Sequence, residues 1–319
     1  MAKQTKGNRK VEEPQPADAE VGGYHVPVLL AETVDALNIK PDGIYVDCTF
    51  GGGGHSKAIL EKLGPKGKLV AFDQDADAAA NIPADPRLVF VPENFRHVQR
   101  FLRLHGLLPV DGIMADLGVS SHQFDEAERG FSFRFDALLD MRMDRRQPAT
   151  AADILNNYDA AALQEMFSAY GEVTNAKTLA AAIVANRSNG PFQTIKDLLQ
   201  VLSPMAKGNP NRYYAQVFQA LRIEVNNELG VLKEWLGQLP AVLKPGGRVV
   251  VITFHSLEDR LVKVFLRDGG FSLEVDPIYG AKSSSPFTLI SKKPIEAGKE
   301  ELKRNERSRS ARLRVAEMK

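Results

Sequence analysis

The chain has one cysteine, Cys48, among 319 residues, so it can form neither an internal disulfide nor a thiolate zinc centre. Cys48 lies in an apolar run, where a buried structural thiol is expected rather than a nucleophile. No run of about 18 apolar residues occurs, and no apolar stretch follows the charged N-terminus. A membrane span and a signal peptide are not expected, and the protein reads as cytoplasmic. Charge of one sign is also missing. With 41 Lys and Arg against 40 Asp and Glu the net charge is +1, so any nucleic-acid binding has to come from local basic patches. The 6 histidines lack H-x-x-x-H spacing, and no Gly-Lys-Ser or Gly-Lys-Thr follows a glycine loop. No metal is expected, and a kinase or ATPase is disfavoured. Hydrophobic content of 44% and charged content of 25% are those of an ordinary globular protein with ample core.

What the chain does have is concentrated in one segment. Tyr45-Val46-Asp47-Cys48-Thr49-Phe50 runs into Gly51-Gly52-Gly53-Gly54, and then His55-Ser56 open a helical pattern. A second apolar run ends in Asp73, placed as in nucleotide sites where an acid lies about 20 residues beyond the glycines. Glycine suits such a loop because a ligand must approach the backbone closely and φ is often positive. An acid at the tip of the next strand can accept hydrogen bonds from ribose hydroxyls. The dinucleotide fingerprint G-x-G-x-x-G, started at Gly51, fails at its third glycine, where the chain has Ser56. That favours adenosylmethionine, which carries no phosphate, over NAD. An NAD-dependent oxidoreductase and a ligand-free glycine turn are the alternatives.

Residues 1–22 have almost no large apolar side chains and read as a disordered leader. A helical pattern over Val28, Leu29, Val34 and Leu37 precedes the first strand. Then strands over Lys68–Phe72, Leu88–Val91 and Asp111–Ala115 alternate with helices after the glycine loop, from Asp75, and over Phe95–His105. Such alternation predicts a parallel sheet wound on both faces. The next core strand, Arg248–Thr253, comes roughly 130 residues later, far beyond the dozen or so a crossover needs, so a domain is inserted. Thr150 and Asp159 can cap helices there, Gly171 can end one, and Thr178–Ala185 and Thr194–Leu202 read as helical. One long helix is expected from Arg212 to Leu239. Residues 23–128 and 212–319 thus form the sheet domain, and 129–211 the helical insertion. Phe271–Val275 and Phe287–Ile290 read as paired strands. Ala311–Val315 alternates apolar and basic, as a charged edge strand or a phosphate-contacting edge.

In a doubly wound sheet the reactive groups gather where strands end. Asp116-Leu117-Gly118-Val119-Ser120-Ser121-His122-Gln123 lies at one such end and is the leading reaction centre, with turn capping as the alternative for Asp116. Thr253 to Arg260 is a second cluster, in which Ser256 with Asp259 also reads as a helix cap.

Six motifs occur in order. His25-Val26-Pro27-Val28-Leu29-Leu30 comes first, then Thr49 to Ser56, Asp116 to Ser121 and Arg129-Gly130-Phe131-Ser132-Phe133. Leu139-Asp140-Met141-Arg142-Met143-Asp144 and Ser256-Leu257-Glu258-Asp259-Arg260 complete the series. Together they resemble the bacterial ribosomal RNA small subunit methyltransferase H family, from about His25 to Glu317. The resemblance implies a class I methyltransferase fold, with adenosylmethionine-dependent methylation of the exocyclic N4 of a cytidine in the decoding region of 16S ribosomal RNA. It implies cofactor contacts at Gly53, Gly54, His55, Asp73, Phe95, Asp116 and Gln123. The small ribosomal subunit is the implied partner, and a homodimer is compatible with the sequence. A methyltransferase of the same fold acting on another RNA or DNA base is the alternative. Asp116 is the candidate acceptor for the amine proton. Arg129, Arg142, Arg145 and Arg146, at the start of the insertion, are expected to hold RNA, with a solvated charged face as the competing reading.

Overall fold

The computed structural model describes residues 27–271 and 285–319. The expected leader and most of the strand expected from Phe271 to Val275 lie outside the described residues. Five strands pair in parallel: β1 (Ile44–Asp47), β2 (Lys68–Phe72), β3 (Leu88–Val91), β4 (Val110–Asp116) and β5 (Leu243–Thr253). The short β6 (Phe287–Leu289) and the longer β7 (Arg312–Met318) are antiparallel to each other, and β7 is antiparallel to β5. The order across the sheet is β3-β2-β1-β4-β5-β7-β6. The order reverses between β1 and β4, and the carboxyl ends of those strands therefore border an open crevice.

α1 (Leu30–Ala36) precedes the first strand, and α2 (Gly54–Lys62), α3 (Val98–Leu104) and α4 (Ser121–Asp125) follow β1, β3 and β4. The insertion contributes α5 (Ala151–Asn157), α6 (Ala160–Gly171), α7 (Ala176–Asn186), α8 (Ile195–Leu202) and α9 (Pro210–Asn226). The chain returns through α10 (Glu228–Val242) and α11 (Ser256–Asp268) and ends with α12 (Lys299–Arg304) ahead of β7. Strand side chains alternate between faces. Val249 and Val251 of β5 therefore join Trp235 and Leu239 of α10 in one core, while Val250 and Ile252 join Leu29 and Ile59 in another. Both faces are covered, which is why these strands read as continuous apolar runs. Trp235 is wholly buried, and its truncation to alanine should cost about 3–5 kcal/mol.

A third core belongs to the insertion and runs from Phe131 to Val225. It takes in Tyr213, Val217 and Leu221, so α9 packs with the insertion and not with the sheet domain to which residues 212–319 were assigned. Thr150 and Asp159 cap α5 and α6 as the sequence suggests, and Thr194 caps α8.

Several expectations are corrected. The stretch after Asp75 is a short 3-10 turn, Ala76–Asn81, rather than an α-helix. The long helix from Arg212 breaks at Asn227, whose φ of 48° and ψ of 41° are left-handed. Asparagine tolerates that conformation better than most residues. Gly230 leaves room for it, since a Cβ there would lie 2.3 Å from Asn227 Oδ1. β6 pairs with β7, and β7 is an interior strand rather than an edge. Its arginines are not free for phosphate: Asp259 takes Arg314 at 2.6 Å and Arg312 at 3.2 Å. With Asp259 so engaged, the cap of α11 is His255, whose side chain accepts from Glu258 N.

Candidate active site

The glycine loop leaves β1 at Asp47, which is fully buried. Asp47 accepts from Ser56 Oγ at 2.7 Å and Thr49 N at 3.0 Å, so the two ends of the loop are tied together through one carboxylate. This explains a serine where a dinucleotide loop has its third glycine: the hydroxyl is an anchor facing inward. Gly53, the residue that caps the start of α2, has φ 76°, which any Cβ would strain. At Gly54 a Cβ would stand 2.2 Å from Pro27 Cγ. The backbone here has no room for another residue.

Gly51 N donates to Asp73 Oδ2 at 2.7 Å, and Asp75 N donates to Asp73 Oδ1 at 2.8 Å. Burial pushes the Asp73 carboxyl up to about 6, against the pull of those two N–H groups. Behind Asp73 a network fixes the turn. Gln123 Nε2 donates to Asp75 Oδ2 at 2.7 Å, and Arg129 Nη1 reaches Asp75 at 2.7 Å and Asp77 at 2.8 Å.

These groups surround a cleft of about 770 Å³, near the upper end of the roughly 300–1,000 Å³ usual for small-molecule sites. Gly54, His55, Asp73, Phe95, Asp116 and Gln123 all line it, whereas Gly53 sits behind the wall. His55 is buried, and its Nε2 lies 3.2 Å from Val28 O. Burial, opposed by that hydrogen bond, lowers its pKa to about 4. The ring is thus neutral, donates through Nε2, and forms no ion pair with Asp116 at 3.9 Å. Asp116 takes its place at the tip of β4, where its N–H donates to Thr49 Oγ1 at 2.7 Å. Its Oδ1 is buried with no hydrogen-bond partner among the described residues. Burial pushes its carboxyl well above the usual range, and the charges of Asp47 and Glu258 add to that. Phe95 meets Trp235 edge to face, with ring centres 5.8 Å apart. The Gln123 amide is committed to Asp75 and to capping α4 through Ser120, so it holds the wall in place.

The opposite wall went unnoticed in the sequence, apart from the cluster after Thr253. Arg222, Asn226, Glu228, Phe254 and Glu258 line the same cleft. The break at Asn227 turns Glu228 back on Arg222, giving Nε to Oε1 at 2.8 Å and Nη2 to Oε2 at 3.1 Å. Asn226-Asn227 inside a helical pattern is the one local signal for it, because asparagine competes with helix for backbone hydrogen bonds. Histidine spacing also overlooks a grouping in space: Glu228, His255 and Glu258 offer ligand atoms within 4.8 Å of one another. Both Glu228 oxygens are occupied by the Arg222 fork, which makes the group a poor divalent-cation site.

None of the four arginines expected to hold RNA lines the cleft. Arg129 is 2% exposed and buried against Asp75 and Asp77, so it does not present a surface to RNA. Arg142 is chelated by Asp140 and by the carbonyl of Gln147. Arg146 is exposed but paired with Asp144 and Glu93. Arg145 is exposed. Cys48 is buried, as expected of a structural thiol.

The model of the MraW methylase family matches residues 23–319. The chain is 55% identical over 296 residues to the ribosomal RNA small subunit methyltransferase H of Parabacteroides distasonis, covering 92% of this chain and 97% of that protein. It is 53% identical over 294 residues to the protein of that name from Christiangramia forsetii, with coverage of 92% and 97%. For the protein of the same name from Flavobacterium johnsoniae the identity is 55% over 295 residues, again with coverage of 92% and 97%.

Proposed function

The chain belongs to the MraW methylase family, and from that membership and the two-walled cleft we propose that it methylates the exocyclic N4 of one cytidine in the decoding region of 16S ribosomal RNA. Kinship over nearly the whole chain makes it an adenosylmethionine-dependent ribosomal RNA methyltransferase. The substrate is the RNA of the small ribosomal subunit, in the cytoplasm. No described helix is long and apolar enough to cross a membrane.

The observation that carries the reading is Asp116: a carboxyl at the tip of β4, inside the cleft, with one buried oxygen that has no hydrogen-bond partner among the described residues. Such an oxygen costs free energy unless a ligand supplies the missing donor. Asp73 fits a ribose, since it lines the cleft and its two backbone hydrogen bonds leave lone pairs for further donors. Phe95 offers an adenine an aromatic neighbour. Gly54 and His55 let the amino-acid end approach the backbone, and Gly53 behind them supplies the left-handed turn the loop needs.

Adenosylmethionine supplies a methyl on a cationic sulfonium, a good leaving group whose charge also favours the ionised form of a nearby carboxylate. The protein's part is then to position and desolvate. The lone pair of cytosine's amine is delocalised into the ring, and an acceptor on its N–H restores nucleophilicity. In the proposed step the N–C bond forms as the S–C bond breaks, and Asp116 takes the amine proton. The base must leave its stack to enter the cleft.

The direct test incubates the protein with labelled adenosylmethionine and small subunits from a strain lacking the modification, then maps the label by nuclease digestion. Label on N4 of one cytidine is the expected result. Cofactor binding with label on another base would replace the substrate assignment, and no label on RNA would remove it.

A further inference from the structure

We propose that the wall formed by Arg222, Glu228, Phe254 and Glu258 is the target-base subsite, with the Arg222 guanidinium donating to O2 and N3 of the cytosine and the Glu258 carboxylate accepting from its amine. The inference rests on the function proposed above and names how that same cleft selects its base.

Geometry supplies the donor. Glu228 holds Arg222 through Nε and Nη2, and Nη1 has no hydrogen bond among the described residues. The Arg222 side chain is 18% exposed and lines the cleft. A guanidinium fixed on two donors by a carboxylate is a rigid reader of a planar edge.

Geometry supplies the acceptor as well. Glu258 is 2% exposed, accepts from Phe254 N at 3.0 Å through Oε2, and has Oε1 3.2 Å from His255 Nε2. His255 Nε2 is buried and makes no hydrogen bond among the described residues. Burial pushes the Glu258 carboxyl up, but His255, Arg222 and the Phe254 N–H outweigh it and hold the group ionised. Each Glu258 oxygen keeps a lone pair for a further donor. The wall also lies beside the strand tip, because Asp116 pairs with Ile252 of β5, two residues before Phe254. Phe254 lies next to the turn at Gly118, where a Cβ would be 3.7 Å from its ring. Its ring gives a flipped base a surface to stack on.

The chemistry then selects. Cytosine presents acceptors at N3 and O2 and a donor at N4, the complement of a guanidinium beside a carboxylate. Uracil would turn its N3–H toward the guanidinium and its O4 toward the carboxylate. Sites built on such hydrogen bonds reject the mismatched analogue by about 10⁴-fold or more.

The test measures methyl transfer to unmodified small subunits by the wild type, Arg222→Lys and Glu258→Gln, with adenosylmethionine affinity and thermal midpoint measured beside it. Arg222→Lys keeps the charge and loses the fork. Glu258→Gln keeps the shape and loses the anion. The expected result is a fall in kcat/KM for subunits of about 100-fold or more in both variants, with cofactor affinity within threefold. Rates within threefold of wild type, or cofactor affinity falling in step with rate, would overturn the subsite. If Arg222→Lys fails to fold, the isosteric Glu258→Gln decides alone. An unlabelled wild-type control would remove the function on which the subsite rests, and the subsite with it.

Discussion

On the glycine-loop side of the cleft the backbone of Gly51, Gly52 and Gly54 forms part of the lining, whereas the Arg222 side brings three charged side chains to it, Arg222, Glu228 and Glu258. Gly53 is there because its φ of 76° is left-handed, Gly54 because Pro27 leaves no space for a Cβ, and Asp73 is aimed by two N–H groups. Across the cleft, Arg222, Glu228 and Glu258 balance one another's charge across a helix break. A backbone cradle tolerates few substitutions but suits a cofactor of constant shape. A charged wall can discriminate among bases, since each mispaired donor or acceptor is costly in a site withdrawn from water. The difference suits the division of labour between an invariant methyl donor and a selected base.

The sharpest way to break this comparison is at Asp116, which stands between the two walls. Asp116→Ala should lower kcat by about 10²–10⁴-fold at saturating cofactor; equal saturated rates would leave Asp116 a cofactor contact only. Because its carboxyl titrates above the usual range and must be ionised to accept a proton, wild-type kcat should fall as pH is lowered.

The next largest effect concerns the network behind the cofactor wall. Arg129→Ala strands the buried Asp75 carboxylate and should cost about 3–5 kcal/mol of stability by denaturant titration. Arg145→Ala, on the exposed surface, should change stability by less than about 0.5 kcal/mol. If the two cost the same, Arg129 is not the strut its burial implies.

Asp73→Asn should weaken adenosylmethionine by roughly 10–100-fold, the value of one or two charge-assisted hydrogen bonds. The Asp73 pKa is raised to about 6, so the carboxylate is lost as pH falls through that value. Wild-type affinity by calorimetry should therefore drop below about pH 6, and the variant's should stay flat there. The smallest signal is at His55, whose ring should remain neutral by NMR until about pH 4. Titration near its ordinary value of about 6.5 would mean the loop is open to water.

Much of the sheet was legible because strand formation depends on local pattern. Lys68–Phe72 and Leu88–Val91 have the bounds their apolar runs suggest, and Thr150 and Asp159 cap where their short side chains can reach the next turn. The long helix from Arg212 was misjudged because the apolar pattern continues past Asn227, while one left-handed residue is enough to turn the axis. The basic residues of β7 looked like an edge or a phosphate contact because Asp259, which takes them, lies far back in the chain.

By itself the sequence determined the glycine loop, the acids at the ends of β2 and β4, the alternating order of the sheet and the existence of a helical insertion. Each depends on neighbours within one turn or one strand, where propensity and sterics act directly. Only the tertiary structure decided which arginines are struts and which face the cleft, and that Arg222, Glu228 and Glu258 share one wall. A charge looks the same in sequence whether solvated or buried; its role is set by the partner that the folded path brings to it, and desolvation makes that partner obligatory.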